Sequence, residues 1–171
     1  MDLNFVRCTA GDIEILFEIS RQTFIDAFEE QNDPQDFWEY MDEAFNKEVL
    51  LTQLKKQDSH FYFAFIENKL AGYFKINESG AQSDINDPDS IELERIYVLK
   101  DFQGRRIGEK LLKKVISLSK EKKVKFIWLG VWEHNPGAIK FYKRNGFKKF
   151  GEHPYAIGKD IQTDWLMRLE I

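Results

Sequence analysis

Cysteine, histidine and long apolar runs are scarce in this sequence, and each scarcity argues against a class of protein. The single cysteine, Cys8, cannot form a disulfide within the chain. The longest apolar run, Phe61 to Ile66, is far shorter than the roughly 20 residues that cross a bilayer. The three histidines lack the spacing of metal ligands, and the first residues lack the basic and apolar segments of a secretory signal. We therefore expect a cytoplasmic protein with no membrane segment and no bound metal.

The remaining composition is that of an ordinary folded protein. Hydrophobic residues make up 43% of the chain and charged residues 32%, so low hydrophobicity does not favour disorder. A chain of 171 residues fits one domain, which buries roughly 70% of the surface that the unfolded chain exposes. We therefore expect residues 1–171 to form a single domain.

Charge is divided unevenly along the chain, although the net charge is only -4. Residues 1–50 carry 13 acidic and 3 basic side chains, whereas residues 51–171 carry 16 acidic and 22 basic ones. Two differently solvated surfaces would explain this division. A cationic substrate on the acidic side and an anionic cofactor on the basic side would explain it as well.

Hydrophobic spacing predicts helices in the first part of the chain and a mixture of strands and helices afterwards. Helices are predicted at about 13–28, 37–54 (interrupted), 105–118 and 136–144. Strands are predicted at 5–9, 61–66, 70–76, 91–98, 126–132, 147–150 and 162–169. The polar segment 77–90 is predicted to be a loop, and its acidic residues do not fit the spacing of an EF-hand calcium loop.

A turn that contains glycine joins the predicted strand 91–98 to the helix after it. The first N–H groups of a helix have no partner within the helix and carry partial positive charge, so they bind phosphate. Gly104 and Gly108 permit close approach, and Arg105 and Arg106 add positive charge. Neither G-x-G-x-x-G nor G-x-x-x-x-G-K-[ST] is present. The turn indicates a phosphate-bearing cofactor, unless it is an ordinary capped helix with a solvated basic end.

A second segment, Asn135 to Phe147, lies downstream of this turn. Gln103-x-x-Arg106-x-Gly108, taken together with N-x-x-A-x-x-F-Y-x-x-x-G-F, resembles the acetyl-CoA signature of the GNAT N-acetyltransferases over about residues 91–150. The family's turn reads [QR]-x-x-G-x-[GA], and Arg106 departs from it. Further segments are similar to the PaiA-type spermidine/spermine acetyltransferases; they include Gln22-Thr23-Phe24, Glu94-Arg95-Ile96-Tyr97 and Gln162-Thr163-Asp164.

The resemblance implies an α/β (α+β) fold with a central mixed, mostly antiparallel sheet of about seven strands flanked by helices. It also implies that the fourth and fifth strands splay apart, and that the pantetheine arm of acetyl-CoA enters the gap and bonds to the main chain. The Val98 N–H would then face the thioester carbonyl as an oxyanion donor. The residues implied to bind acetyl-CoA are Ile96, Tyr97, Val98, Gln103, Gly104, Arg105, Arg106, Ile107, Gly108, Glu109, Lys110, Asn135, Lys140 and Lys143.

The resemblance also implies an acid and a base. An amine with a pKa of about 10 must lose a proton before it attacks a thioester. Glu92 and Glu94 share one face of their strand because strand side chains alternate. Glu94 lies where related polyamine acetyltransferases carry a catalytic glutamate, and Glu92 is the second candidate. Tyr142 is implied to protonate the departing CoA thiolate; without the resemblance it would be interpreted as a core aromatic.

The acceptor implied by the resemblance is a polyamine such as spermidine or spermine, acetylated by direct attack in a ternary complex. Glu29, Glu30 and Asp33 are the acidic residues predicted to contact it. Acetylation of a protein N-terminus, a lysine or an aminoglycoside remains an alternative, as does a non-catalytic acyl-CoA sensor. The lysine-rich stretch 110–125 interleaves with an apolar helix face, so no nucleic-acid partner is expected. We expect a monomer or a homodimer.

Overall fold

A seven-stranded sheet runs through the centre of the structure, a computed structural model that describes residues 2–171. The strands are β1 (Leu3–Arg7), β2 (Ser59–Ile66), β3 (Lys69–Glu78), β4 (Ser90–Val98), β5 (Phe126–Trp132), β6 (Lys148–Ile157) and β7 (Asp160–Glu170). The α-helices found in residues 2–171 are α1 (Ile13–Phe28), α2 (Pro34–Ala44), α3 (Lys47–Lys55), α4 (Ile107–Glu121) and α5 (Pro136–Arg144). Of the helices described, none is long and apolar enough to cross a bilayer.

The sheet is mixed and mostly antiparallel. Its order is β1-β2-β3-β4-β5-β7-β6, and only the pairing of β4 with β5 is parallel within the described chain. The fold class, the number of strands and the mixed sheet predicted from the sequence are therefore confirmed.

Several helix ends follow from local sequence. Asp33 caps α2 by accepting a hydrogen bond from the Asp36 N–H, and Pro34 fills the first helical turn. Helix α2 therefore begins at Pro34, three residues before the predicted start at about residue 37. Helix α4 begins at Ile107, later than the predicted start near residue 105, because Arg106 adopts a left-handed conformation that cannot continue a helix.

Two strands differ from their predicted bounds. Strand β1 lies two residues earlier than predicted, at Leu3–Arg7. Strand β6 is much longer than the predicted 147–150, because it continues through Pro154 to Ile157. A proline is tolerated there because β6 lies at the edge of the sheet, where an unpaired position faces no neighbouring strand. The first part of β6 contains few apolar residues, so the sequence showed no hydrophobic pattern that would predict how far the strand continues.

Both faces of the sheet are covered. Helices α4 and α5 pack on one face in the largest core cluster, which includes Phe74, Ile91 and Leu111. Helices α1 and α3 pack on the other face, in a cluster that includes Phe61 and Tyr73. Because neighbouring side chains of a strand point to opposite faces, Tyr73 and Phe74 belong to different clusters.

The parallel pairing of β4 with β5 is short. It includes Ser90 with Phe126, Ile91 with Ile127 and Glu92 with Trp128. Strand β4 nevertheless continues to Val98, and β5 continues to Trp132. The two strands therefore separate beyond Glu92, as the resemblance implied.

Gly72 allows β3 to stay close to β4 alongside this opening, at the Val98 end of β4. It pairs with Val98, and a Cβ atom added to it would lie 2.5 Å from the Tyr97 carbonyl oxygen and 3.4 Å from Leu111 Cδ1. The first contact is with backbone, so a side chain would force β4 to move.

We predict that Gly72→Ala destabilises the protein by about 1–3 kcal/mol, the usual cost of overpacking. Gly80→Ala is the matched control, since an added Cβ there meets no atom within 4 Å. Urea unfolding of both variants measures the difference. Equal free energies of unfolding for the two variants would show that β4 shifts without cost.

Candidate active site

The opening between β4 and β5 leads into a cleft of about 470 Å³. Strand β4 contributes Glu94, Ile96 and Val98 to its wall, and α5 contributes Ala138 and Tyr142. Further lining residues come from α1, from β5 and the loop after it, and from β6 and β7; they include Phe24, Asp26, Gly130, Trp132, Asn135, Tyr155 and Asp164. Residues predicted to bind the cofactor arm and to carry out acid–base chemistry therefore meet in one cleft.

The backbone of β4 directs hydrogen-bonding groups of Ile96 and Val98 toward this cleft. The Leu99 N–H donates to the Ala71 carbonyl at 2.8 Å, and the next pair in the register is Val98 with Gly72. Bonded and non-bonded pairs alternate in an antiparallel ladder, so the N–H and C=O of Val98 point away from β3. The same alternation applies to Ile96. The Val98 carbonyl accepts a hydrogen bond from Gln103 Nε2 at 3.0 Å, and its N–H faces the opening.

A second cavity, of about 600 Å³, lies at the turn before α4. Gly104 has a φ of 78° and Arg106 a φ of 58°, so the backbone curls twice within three residues. The first residues of α4 line this cavity, and the unpaired N–H groups at the start of a helix bind anions. The other lining residues include Gln103, Ile107, Gly108, Glu109, Phe141 and Arg144.

The conformation of Arg106 explains why the resembling family has glycine at this position. A left-handed backbone costs a residue with a side chain about 1–2 kcal/mol, and glycine avoids that cost. In this chain Arg106 has the strained conformation, and its presence adds a guanidinium group at the wall of the turn cavity.

Three basic residues predicted to bind phosphate are absent from the lining of the turn cavity. Arg105 packs over the Phe102 ring at 5.4 Å, and Lys143 packs over the Trp165 ring, also at 5.4 Å. Lys140 is exposed on α5. None of these three lines the turn cavity.

Lys110, which was also predicted to bind the cofactor, lies with Lys113 and Lys114 in a separate groove against β1. Arg144 is a basic residue at the turn cavity that was not predicted. It lies one helical turn after Phe141, lines the turn cavity, and places Nη2 3.7 Å from Oε1 of Glu109. Its three-residue spacing from Phe141 was the available sequence signal, since such residues share a helix face.

Tyr142 and Asn135 line the α5 side of the cleft. The Asn135 side chain caps α5 by accepting a hydrogen bond from the Ala138 N–H at 3.3 Å. Burial raises the pKa of Tyr142 well above its usual range. A tyrosine is protonated at neutral pH even at its ordinary pKa of about 10, so this phenol carries a proton that it can donate into the cleft.

Glu92 and Glu94 lie on one face of β4, as predicted, with Asn77 between them. The Asn77 amide donates to both carboxylates, at 2.9 Å and 3.2 Å respectively. Glu92 accepts two more hydrogen bonds from the N–H and hydroxyl of Ser83. Glu94 forms an ion pair with Lys75, whose side chain is only 4% exposed.

The two carboxylates differ in pKa. Burial and the negative charge of Glu94 raise the pKa of Glu92, although hydrogen bonds from Ser83 and Asn77 oppose this. Burial would also raise the pKa of Glu94, but the charges of Lys75 and Arg95 outweigh it and lower that pKa. Glu94 is therefore ionised at neutral pH, and it lines the cleft whereas Glu92 does not.

A third cavity, of about 400 Å³, adjoins the cleft. Both spaces are lined by Glu94, Gly130 and Asp164, so the two meet at these residues. The third cavity also contains the carboxylates of Asp84 and Glu92. Its basic side chains are Arg95, which stacks over the Phe45 ring at 4.5 Å, and His153. We call this space the acidic cavity.

The turn between β6 and β7 docks on α2 beside this cavity. The Lys159 N–H donates to Asp36 Oδ1 at 3.1 Å, and the hydroxyl groups of Tyr40 and Tyr155 form a hydrogen bond with each other. Gly158 has a φ of 58°, and an added Cβ would lie 2.6 Å from Cα of Asp36. The turn therefore packs backbone against backbone.

The acidic residues predicted at the acceptor site do not line the cavities. Glu29 and Glu30 are exposed in a short 3-10 turn after α1, and Asp33 is the cap of α2. The acidic groups that face the cavity come instead from the loop before β4, from β4 itself and from β7. Asp164 belongs to Gln162-Thr163-Asp164, one of the segments that carried the resemblance. The resemblance, however, implied no role for Asp164. Within residues 2–171, no group of three or more His, Cys, Asp or Glu could hold a metal ion.

Comparison with known proteins connects these features. Residues 14–147 match the model of the acetyltransferase (GNAT) family. The chain is 36% identical, over 97% of its length and 96% of the relative's, to an uncharacterized N-acetyltransferase in the pepI 3' region of Lactobacillus delbrueckii subsp. lactis. It is 30% identical to the spermine/spermidine N(1)-acetyltransferase of Bacillus subtilis, over 56% of this chain and 66% of that one.

Among solved structures, the PaiA N-acetyltransferase of Thermoplasma acidophilum in complex with coenzyme A superimposes with a TM-score of 0.80 at 22% identity, covering 100% of both chains. This likeness shows the fold. The family match covers most of the chain and includes β4, the turn and α5, the segments that carried the resemblance. The chain therefore belongs to the GNAT family and is an N-acetyltransferase.

Proposed function

We propose that this enzyme transfers the acetyl group of acetyl-CoA to a primary amine of a polyamine such as spermidine or spermine. The observation that carries the proposal is the acidic cavity, which opens from the cleft beside Glu94. An anionic cavity next to an acyl-transfer cleft favours a cationic acceptor. The Bacillus subtilis relative, named as a spermine/spermidine N(1)-acetyltransferase, supports the same substrate class.

The residues present fit acetyl-CoA, which supplies a thioester acyl group. The outward-facing backbone groups of Ile96 and Val98 would hold the pantetheine arm as an added strand. The first N–H groups of α4, with Arg106 and Arg144, would hold the phosphates. The coenzyme A complex of the Thermoplasma structure supports this assignment.

The acidic cavity supports an acceptor with more than one positive charge. Four of its carboxylates belong to Asp84, Glu92, Glu94 and Asp164, and its basic side chains are Arg95 and His153. Polyamine nitrogens with pKa values of about 10 are charged at neutral pH. One ammonium would occupy the junction with the cleft, and another would occupy the cavity beyond it.

Residues of this chain would perform the proton transfers. Glu94, kept ionised by Lys75 and Arg95, would accept the proton of the amine as nitrogen forms its bond to the acyl carbon. The Val98 N–H would stabilise the negative charge that develops on the acyl oxygen. Tyr142, which is protonated at neutral pH, would give its proton to the departing thiolate as the C–S bond breaks.

The first test is turnover. We predict acetylation of spermidine or spermine, with kcat lowered about 100-fold or more in Tyr142→Phe and in Glu94→Gln. Coenzyme A affinity should change little in Glu94→Gln, since Glu94 serves the acceptor. Tyr62→Phe, which removes the hydroxyl of a tyrosine stacked on Phe74 at 5.0 Å, is the control.

Steady-state assays should compare polyamines with aminoglycosides, N-terminal peptides and lysine peptides. Absence of turnover with every polyamine would exclude the proposed substrate. Coenzyme A binding without turnover of any amine would favour an acyl-CoA sensor.

A second test concerns Arg106. Arg106→Gly and Arg106→Ala both remove the guanidinium, so we predict that both weaken coenzyme A binding about 10-fold by loss of a charged contact. Only glycine relieves the left-handed strain, so Arg106→Gly should be about 1 kcal/mol more stable than Arg106→Ala. Calorimetric titration and urea unfolding measure the two effects, with exposed Lys148→Ala as the control. Unchanged affinity in both variants would show that the side chain makes no phosphate contact.

A further inference from the structure

Asp164 is the carboxylate of the acidic cavity whose hydrogen-bonding capacity is least used. Glu92 accepts three hydrogen bonds, from Asn77 and from two groups of Ser83. Glu94 has an ion pair with Lys75 and a hydrogen bond from Asn77. Asp164, only 13% exposed, has among the described side chains one contact, with His153 Nε2 at 3.7 Å. That distance is too long for a hydrogen bond.

Asp84 is less suited than Asp164 to bind a cation, because its hydrogen-bonding capacity is already used. Its side chain is 44% exposed, and it accepts hydrogen bonds from the Ile85 N–H at 2.7 Å and from His153 Nδ1 at 3.0 Å. A nearly buried carboxylate without such partners has a large cost of desolvation, which a bound cation would offset.

The location of Asp164 matches the place where an acceptor must react. Asp164 Oδ2 and His153 Nε2 each lie 3.3 Å from the position that a Cβ of Gly130 would occupy. Gly130 lies two residues beyond Trp128, at the level of Glu94 if the register with β4 is extended. Gly130, Glu94 and Asp164 all line both the cleft and the acidic cavity. The absent side chain at position 130 leaves the passage between them open.

We infer that Asp164 binds the ammonium group of the acceptor at the entrance to the acidic cavity, and that His153 is the positioning residue that holds the Asp164 carboxylate between acceptor molecules. The inference rests on the proposed transfer of acetyl to an amine. It adds to that proposal the residue that recognises the cation.

Protonation of His153 makes the binding of the acceptor at Asp164 depend on pH. Contact with Asp164, followed by the hydrogen bond with Asp84, raises the pKa of His153 despite its burial. Below that raised pKa the imidazolium neutralises Asp164 and competes with the acceptor. As pH rises through it, the imidazole loses its proton and Asp164 becomes available to the ammonium. The other charged or titratable groups that line the acidic cavity are Glu92, Glu94, Arg95 and Tyr97 of β4, Tyr155 of β6 and Tyr40 of α2.

The first experiment measures KM for the amine. Asp164→Asn should raise it about 10- to 100-fold, the effect of losing a charged hydrogen bond, with little change in coenzyme A affinity. Asp164→Glu, which keeps the charge, should recover part of the loss. Glu170→Gln, an exposed carboxylate on the same strand, is the control. A KM for Asp164→Asn equal to that of Glu170→Gln would overturn the inference.

The second experiment follows the amine KM of the wild type and of His153→Gln across pH. In the wild type, KM should fall about 10-fold as pH rises from about 6 to 8, because His153 releases Asp164. His153→Gln should flatten this dependence. A purely structural role for His153 would change stability and leave the pH dependence intact, which would contradict the inference. This profile also keeps the test decisive if Asp164→Asn does not fold.

These outcomes separate the inference from the proposed function. If polyamines are acetylated but Asp164→Asn keeps its KM, the proposed function stands and the role of Asp164 is wrong. If another primary amine is the substrate and Asp164→Asn raises its KM, the role of Asp164 stands and the polyamine assignment is wrong.

Discussion

The site depends on one limit in the sheet, the end of β4–β5 pairing at Glu92 and Trp128. Beyond that pair each strand has an edge whose backbone groups have no neighbouring strand, a state that proteins otherwise avoid. The exposed edge of β4 is what an extended ligand arm needs. The same separation lets Tyr142 of α5 face the gap and leaves room beside Gly130. Flanking helices α4 and α5 stabilise the splayed strands by packing on the sheet face.

The electrostatics of β4 follow from placing carboxylates two residues apart on one buried face. Repulsion between Glu92 and Glu94 is relieved because Asn77 donates to both and because Lys75 is paired with Glu94. Lys75 itself has a lowered pKa, chiefly from burial, so the positive charge is held there at a cost that Glu94 offsets. The pair fixes the ionisation of Glu94, and Glu92 is left with a raised pKa in a hydrogen-bonded pocket.

What the sequence predicted well is what local sequence determines. The turn before α4, helix α5 and the two central strands carry glycine, proline and hydrophobic signals that act over a few residues. The acceptor side lacked such signals, because Asp84, His153 and Asp164 meet through contacts between residues distant in the chain. The acidic residues that sequence position favoured, Glu29 and Glu30, lie on an exposed turn instead. Total charge in a segment does not determine where its side chains point.

This difference divides the enzyme into two parts built in different ways. The cofactor side is formed largely by the continuous run from β4 through α4, to which α5 adds Tyr142 and Arg144, so short connections fix most of its geometry. The acceptor side requires the β6–β7 turn to reach α2, where Gly158 packs on Asp36 and Gln162 donates to Asn32 at 2.7 Å. Substitutions along that long-range contact can reshape the acidic cavity while the outward-facing backbone of β4 stays in place. If this region binds the acceptor, as proposed, its shape can vary while the β4 backbone that faces the cleft is kept.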